Sequence, residues 1–202
     1  MYKILSYLME DGKKDFFIKG TMYDSKKKTV GKIFDQGIKL NPTEINSPFT
    51  IIVDEKLSSV KNKKTKDKVS VSVNNAGSLF LGSNKVEDLF TSLKIDNVQF
   101  FDVRIKSSIG EVTNYKIFNI TDKFDCVDFS KSELTLFDSG NIERIKKLVL
   151  DPNKIPFPRK IFLLGRKTSQ IIIIHDDLRQ AIEEEGLTGF VFIDLQNAGK
   201  IY

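Results

Sequence analysis

The chain has 202 residues, 40% of them hydrophobic and 29% charged, with a formal net charge of +5. That is the composition of a folded chain long enough for one large domain or two small ones, and it excludes disorder as the main state. The most apolar run, the four isoleucines at 171–174, falls far short of the ~20 apolar residues of a membrane-crossing helix, and a single histidine and a single cysteine exclude an internal disulfide, a cysteine-built zinc site and a multi-histidine metal site.

In chain order, residues 2–9 read as a short apolar strand. Glu10 and Asp11 interrupt it before the core of a signal peptide could form, so a reducing cytoplasm is the expected compartment. Phe16, Phe17 and Ile18 follow a turn at Asp11-Gly12, residues 32–40 show no clear period, and Asn41-Pro42 opens a loop before a strand at 49–53. Val69, Val71 and Val73 alternate with Ser70 and Ser72, as a half-buried strand requires, and residues 79–81 are another strand. Ser83 or Asn84 caps a helix over 85–93, with Val86, Leu89, Phe90 and Leu93 on one face. Strands are expected at 98–106, 115–120, 125–129 and 134–137, and a helix or helix-to-strand junction at 141–149. Residues 151–158 form a proline-rich connector. Strands at 161–164 and 170–174 lead to a second helix, capped by Asp176 or Asp177 and ending at Glu185, with Gly186 in the left-handed cap and a last strand at 190–195.

Strands outnumber helices, so the fold class is α+β, a mostly antiparallel sheet with a few short amphipathic helices. The chain reads as a single domain over 1–202, or as two packed halves: 1–110, carrying a lysine-rich loop at 61–68, and 111–202. An internal echo fits either a pseudo-twofold single domain or two packed halves. Residues 97–103 lie over 189–195, Asp102 falls on Asp194, and Phe80, Val86, Leu89, Phe90 and Ile95 fall on Ile172, Leu178, Ala181, Ile182 and Leu187. Duplication of a strand-helix-strand unit and chance likeness of two amphipathic patterns both fit.

The basic excess is local. Residues 1–75 hold 15 lysines, no arginine and 9 acids, whereas the remainder holds 17 basic and 18 acidic groups. Two runs carry the excess: Lys26, Lys27 and Lys28, and Lys61, Lys63, Lys64, Lys66 and Lys68. Such runs could follow phosphates, which makes a nucleic-acid-associated module one reading. The lack of arginine and of interleaved aromatics argues instead for solvated turns.

Enzyme signatures are missing. There is no phosphate loop, dinucleotide turn or nucleophile elbow. His175 ends an isoleucine run and suits a strand end or a helix cap better than a general base. Cys126 suits the core. Asp125 with Asp128, Asp176 with Asp177, and Glu183 to Glu185 are the acids that could pair for a metal or glycosidase site, but three consecutive helical residues point in three directions, which favours a solvated face.

The C-terminal half carries a resemblance. Its pieces are Tyr115-Lys-Ile-Phe-Asn-Ile-Thr-Asp-Lys-Phe-Asp-Cys-Val-Asp-Phe-Ser-Lys-Ser132, then Ile145-Lys-Lys-Leu-Val-Leu-Asp-Pro-Asn-Lys-Ile-Pro156, then Ile161-Phe-Leu-Leu164, then Leu178-Arg-Gln-Ala-Ile-Glu-Glu-Glu-Gly-Leu-Thr-Gly-Phe-Val-Phe192. In this order they resemble a bacterial immunity-protein family of polymorphic toxin systems over roughly 80–195; the first 75 residues show no match. The usual family member has a residue such as serine where His175 or Asp176 stands, which touches only the cap. The matched residues look structural: Gly186 and Gly189 suit positive φ, Phe190 and Phe192 share a strand face, and Lys154 bonds a carbonyl near the connector or is solvated. The resemblance implies a cytoplasmic protein that binds and neutralises a cognate protein toxin by occlusion, with no catalytic residue, cofactor, metal or membrane contact. Asp176, Asp177, Glu183, Glu184 and Glu185 are the candidate contact face. An enzyme whose acids meet only in the fold is the third reading.

Overall fold

The isoleucines at 171–174 are all buried because both faces of the sheet they enter are covered. The computed structural model describes residues 1–7, 20–30, 33–34, 36–53, 73–76, 79–108, 110–157, 159–167 and 170–201. The expected turn at Asp11-Gly12, the Phe16–Ile18 segment, the 61–68 lysine run and the first part of the alternating valine strand lie outside these residues.

The elements run β1 (Tyr2–Tyr7), β2 (Gly20–Tyr23), β3 (Phe49–Val53), β4 (Val73–Ala76), β5 (Leu79–Ser83), α1 (Asn84–Ser92), β6 (Val98–Ser107), β7 (Gly110–Val112), β8 (Tyr115–Ile120), β9 (Lys123–Phe124), β10 (Glu133–Leu136), β11 (Ile142–Lys147), β12 (Ile161–Leu164), β13 (Ile172–His175), α2 (Asp176–Glu184) and β14 (Phe190–Asp194). Short 3-10 turns occupy Pro152–Lys154 and Leu195–Ile201. One sheet has the order β14-β1-β13-β12-β9 and another the order β2-β3-β6-β8-β5-β4, with β7 paired to β6; β10 and β11 form a separate hairpin. Mixed α and β with mainly antiparallel pairing is as expected; the parallel pairs are β3 with β6 and β9 with β12.

Three apolar clusters fill the spaces. One takes residues from both sheets and both helices, among them Leu5, Phe80, Phe90, Phe118, Ile174, Leu178 and Ile182. The second lies on the opposite face of the β1-containing sheet, where Ile142, Ile145 and Leu148 cover Ile4, Phe162 and Ile173. The third lies on the opposite face of the β6-containing sheet, where Phe34 and Leu40 cover Phe49, Phe101 and Ile117. Alternate residues of β12 and β13 therefore serve different clusters, as a period of two demands.

The two strand-helix-strand units have the same dimensions. Helices α1 and α2 each hold nine residues. Both end in the same paired backbone bonds, Lys94 to Thr91 and Ile95 to Phe90 in one, Gly186 to Glu183 and Leu187 to Ile182 in the other. Lys94 and Gly186 both take positive φ, 53° and 66°. In each unit the flanking strands enclose an antiparallel central strand, β8 or β1, in matching register: Tyr115 faces Ser83 where Tyr2 faces His175, and Lys116 faces Asp102 where Lys3 faces Asp194. The lysines make the same cross-strand ion pair, Lys116 to Asp102 at 3.4 Å and Lys3 to Asp194 at 2.5 Å.

Three expectations are corrected. Residues 141–149 hold strand β11, not a helix. Register shifts in the β10–β11 hairpin set Leu134 opposite Ile145 and Leu136 opposite Ile142, so three residues of one strand match four of the other. That bulge turns Ile142 and Ile145 to the same side and imitates helical spacing. Residues 125–129 make no strand beyond one bridge, Val127 with Leu150, because the Asp128 carboxylate turns the chain by accepting from the Ser130 N–H at 3.1 Å. His175, rather than Asp176 or Asp177, is the N-cap of α2, its Nδ1 accepting from the Asp177 N–H at 3.3 Å.

Cys126 is fully buried in the second cluster. Burial pushes its thiol up to about 11. At pH 8 the thiol is therefore expected to resist a disulfide-exchange reagent in the native protein and to react at once in denaturant; rapid native labelling would contradict this packing.

Candidate functional site

Helix α2 starts directly from a buried strand, so its first turn stands at the rim of the sheet. Arg179 draws two of the acids together, its Nε donating to Asp176 at 2.9 Å and its Nη1 to Glu183 at 2.5 Å. Asp176 also lies 3.6 Å from the amino group of Met1. Partial burial pushes the Asp176 carboxyl up, but the Arg179 hydrogen bond and the neighbouring amino group outweigh it and hold the carboxyl below its ordinary value. Asp177 is exposed beside His175, and Glu184 and Glu185 point to solvent. Asp176, Asp177, Glu183 and Glu184 thus lie on α2 and Glu185 at its C-cap without converging on a point, and no group of three or more metal-ligating side chains exists among the described residues.

Lys26, Lys27 and Lys28 lie on an exposed turn that follows β2. Asp24 builds that turn, its carboxylate accepting from the N–H groups of Lys26 at 2.9 Å and Lys28 at 2.8 Å. Lys61, Lys63, Lys64, Lys66 and Lys68 lie outside the described residues.

Two exposed features escape sequence reasoning. Phe157 is 97% exposed. It follows the buried Ile155 and sits in a turn closed by the Arg159 N–H on the Pro156 carbonyl at 3.0 Å. The flanking prolines were the available signal. Arg159 itself is anchored by Asp96 at 2.6 Å and Asp122 at 2.8 Å.

The other feature lies at the opposite end of β12 and β13. Arg166 holds its guanidinium 5.3 Å from the centre of the Phe129 ring and its Nε 2.6 Å from Asp125. Its carbonyl accepts from the Ile142 N–H at 2.7 Å, and Ile142 faces Leu136 across the hairpin. Leu136 and Phe137 are both nearly half exposed. No single stretch of sequence signals this group, because its members come from four separate segments.

Next to it, Lys131 at 2.7 Å and the Ser130 hydroxyl at 2.6 Å hold the Asp128 carboxyl down to about 2. A depressed carboxylate supports the fold above its unfolded-state value and loses that support as pH falls through its native value. The Asp128 carboxyl resonance is expected to titrate near pH 2, and in Lys131→Ala to move up toward the ordinary aspartate range. An unmoved midpoint would remove Lys131 as the main cause.

A family model described as Immunity protein family (Imm11) matches residues 17–197. The match extends well into the first 75 residues, where motif reading found nothing. No curated protein matches the chain.

Proposed function

The chain belongs to the Imm11 immunity protein family, and from that premise we propose that it binds a cognate bacterial toxin stoichiometrically and occludes it, in the cytoplasm, without catalysis or a cofactor. The family match over residues 17–197 is the observation that carries this reading. The site geometry supports a binding role: on α2 and its C-cap, Asp176 and Glu183 are engaged by Arg179 while Asp177, Glu184 and Glu185 are exposed, an arrangement suited to contact rather than to proton transfer. In this reading the α2 acids form a steering face. Charges at an interface rim speed encounter and make it salt-dependent more than they add affinity. Asp177, Glu184 and Glu185 would then set the on-rate for a toxin that is basic opposite them.

The test is capture of partners on the tagged chain from nuclease-treated native cells, followed by expression of each captured protein alone. A partner that kills cells and is neutralised by this chain at a one-to-one ratio supports the proposal. Retention of nucleic acid, lost steeply between low and moderate salt and with no toxic partner, would overturn it in favour of Lys26–Lys28 and the 61–68 run.

A further inference from the structure

The end of the molecule that carries Arg166 has the physical character of an interface anchor. Arg166 takes φ +53°, a left-handed conformation that non-glycine residues seldom adopt. The backbone strain is offset by side-chain placement: the guanidinium lies over Phe129 and is pinned at one edge by Asp125. Its two terminal amino groups have no protein partner among the described residues, and the side chain is half exposed. A guanidinium stiffened in this way presents a ready fork for a carboxylate.

The surroundings select the kind of partner. Leu136 and Phe137 reach solvent at the tip of the hairpin, two strand spacings or about 10 Å from the Arg166 backbone. A half-exposed phenylalanine and leucine beside an aromatic-stacked arginine match the composition of interface hot spots. Asp125 makes the spot a poor host for a polyanion, since a phosphate backbone would bring several charges up to it.

We infer, resting on the toxin-binding reading above, that Arg166, Phe129, Leu136 and Phe137 form the anchor face for the toxin, and that the toxin presents there a carboxylate side chain set among apolar residues. The anchor lies at the opposite end of β12 and β13 from Asp176 and Asp177 in the first turn of α2, so the anchor and these first-turn acids have separable roles. The anchor governs how long the complex lasts, and the acids govern how fast it forms.

The experiment uses the full chain and the toxin whose killing it suppresses. Arg166→Gly removes the fork and relieves the backbone; Phe137→Ser removes an apolar contact from an exposed turn. Arg166→Gly is expected to raise Kd by about 30-fold or more through the off-rate, and Phe137→Ser by about tenfold, each with an unchanged melting temperature. Arg166→Lys is expected to recover little, because an ammonium lacks the fork. Asp177→Asn should instead slow association and flatten its salt dependence. If the parent chain protects cells and both anchor variants bind within threefold of it, the anchor is elsewhere while the immunity reading stands. If the parent chain protects against no toxin, the immunity reading fails and the anchor with it. Should Arg166→Gly fail to fold, Phe137→Ser alone decides.

Discussion

Phe90→Ala lowers the unfolding free energy by about 3–5 kcal/mol, the range for removing a buried phenylalanine and leaving its cavity. Phe90 is 1% exposed on the inner face of α1. Its ring lies edge-on to Phe100 at 5.9 Å and tilted to Phe118 at 6.5 Å. Those two residues belong to β6 and β8, while Leu178, Ile182 and Ile174 of the other unit share the same cluster. The ring therefore sits where both sheets and both helices contribute to one core, and neighbours fixed from several sides cannot close over a void. Since domains of this kind keep only about 5–15 kcal/mol in total, the loss takes a large share. Urea unfolding followed by circular dichroism measures it. A shift below about 1 kcal/mol would mean that the cavity collapses and that α1 is loosely held.

Gly165→Ala is expected to cost about 1–3 kcal/mol by the opposite route, overpacking. A Cβ there would stand 2.8 Å from both the Asp125 nitrogen and the Phe124 oxygen and 2.9 Å from the Asp125 Cα. All three are backbone atoms, so no rotamer change relieves the clash. The turn has to withdraw, which breaks the Gly165 N–H bond to the Phe124 carbonyl at 2.7 Å and loosens the parallel pairing of β9 with β12. Because Arg166 is the next residue, the same variant should also weaken toxin binding. Gly140→Ala is the control: φ is +77° but nothing lies within 4 Å of its Cβ, so only the conformational cost of about 1 kcal/mol remains. Equal melting temperatures for the two variants would refute the close approach at Gly165.

Elements whose side chains follow one simple period were readable directly. Residues 49–53 and 115–120 have the expected strand bounds. The spacing of Val86, Leu89 and Phe90 places α1 because all three are buried on one face. The returning strand of the 133–147 hairpin differs from its expected helix because a bulge gives Ile142 and Ile145 a helix-like interval. The α2 cap falls on His175, which the sequence offered as a cap participant, and not on Asp176 or Asp177, because an imidazole nitrogen accepts the bond that a carboxylate was expected to take. For the sites the obstacle is different in kind. Lysine runs and acid clusters are visible as strings, whereas Asp125, Phe129, Leu136 and Arg166 become neighbours only through β9–β12 pairing and the bridge from Ile142 to Lys167. Long-range pairing of that sort leaves no local pattern.

The matched units differ in when their central strand is made. β8 follows β5, α1 and β6 directly, and every strand of its sheet lies between residues 20 and 120. β1, by contrast, waits on both sides for partners that leave the ribosome only after residue 171. Until then its two edges are unpaired by their native neighbours, and Ile4 and Leu5 lack the clusters that bury them. Closing so distant a pair is slow, and a bare apolar strand is a template for the wrong neighbour. A translating chain paused at Gly165 would carry every strand of the β6-containing sheet beside a β1 that still has neither of its native partner strands.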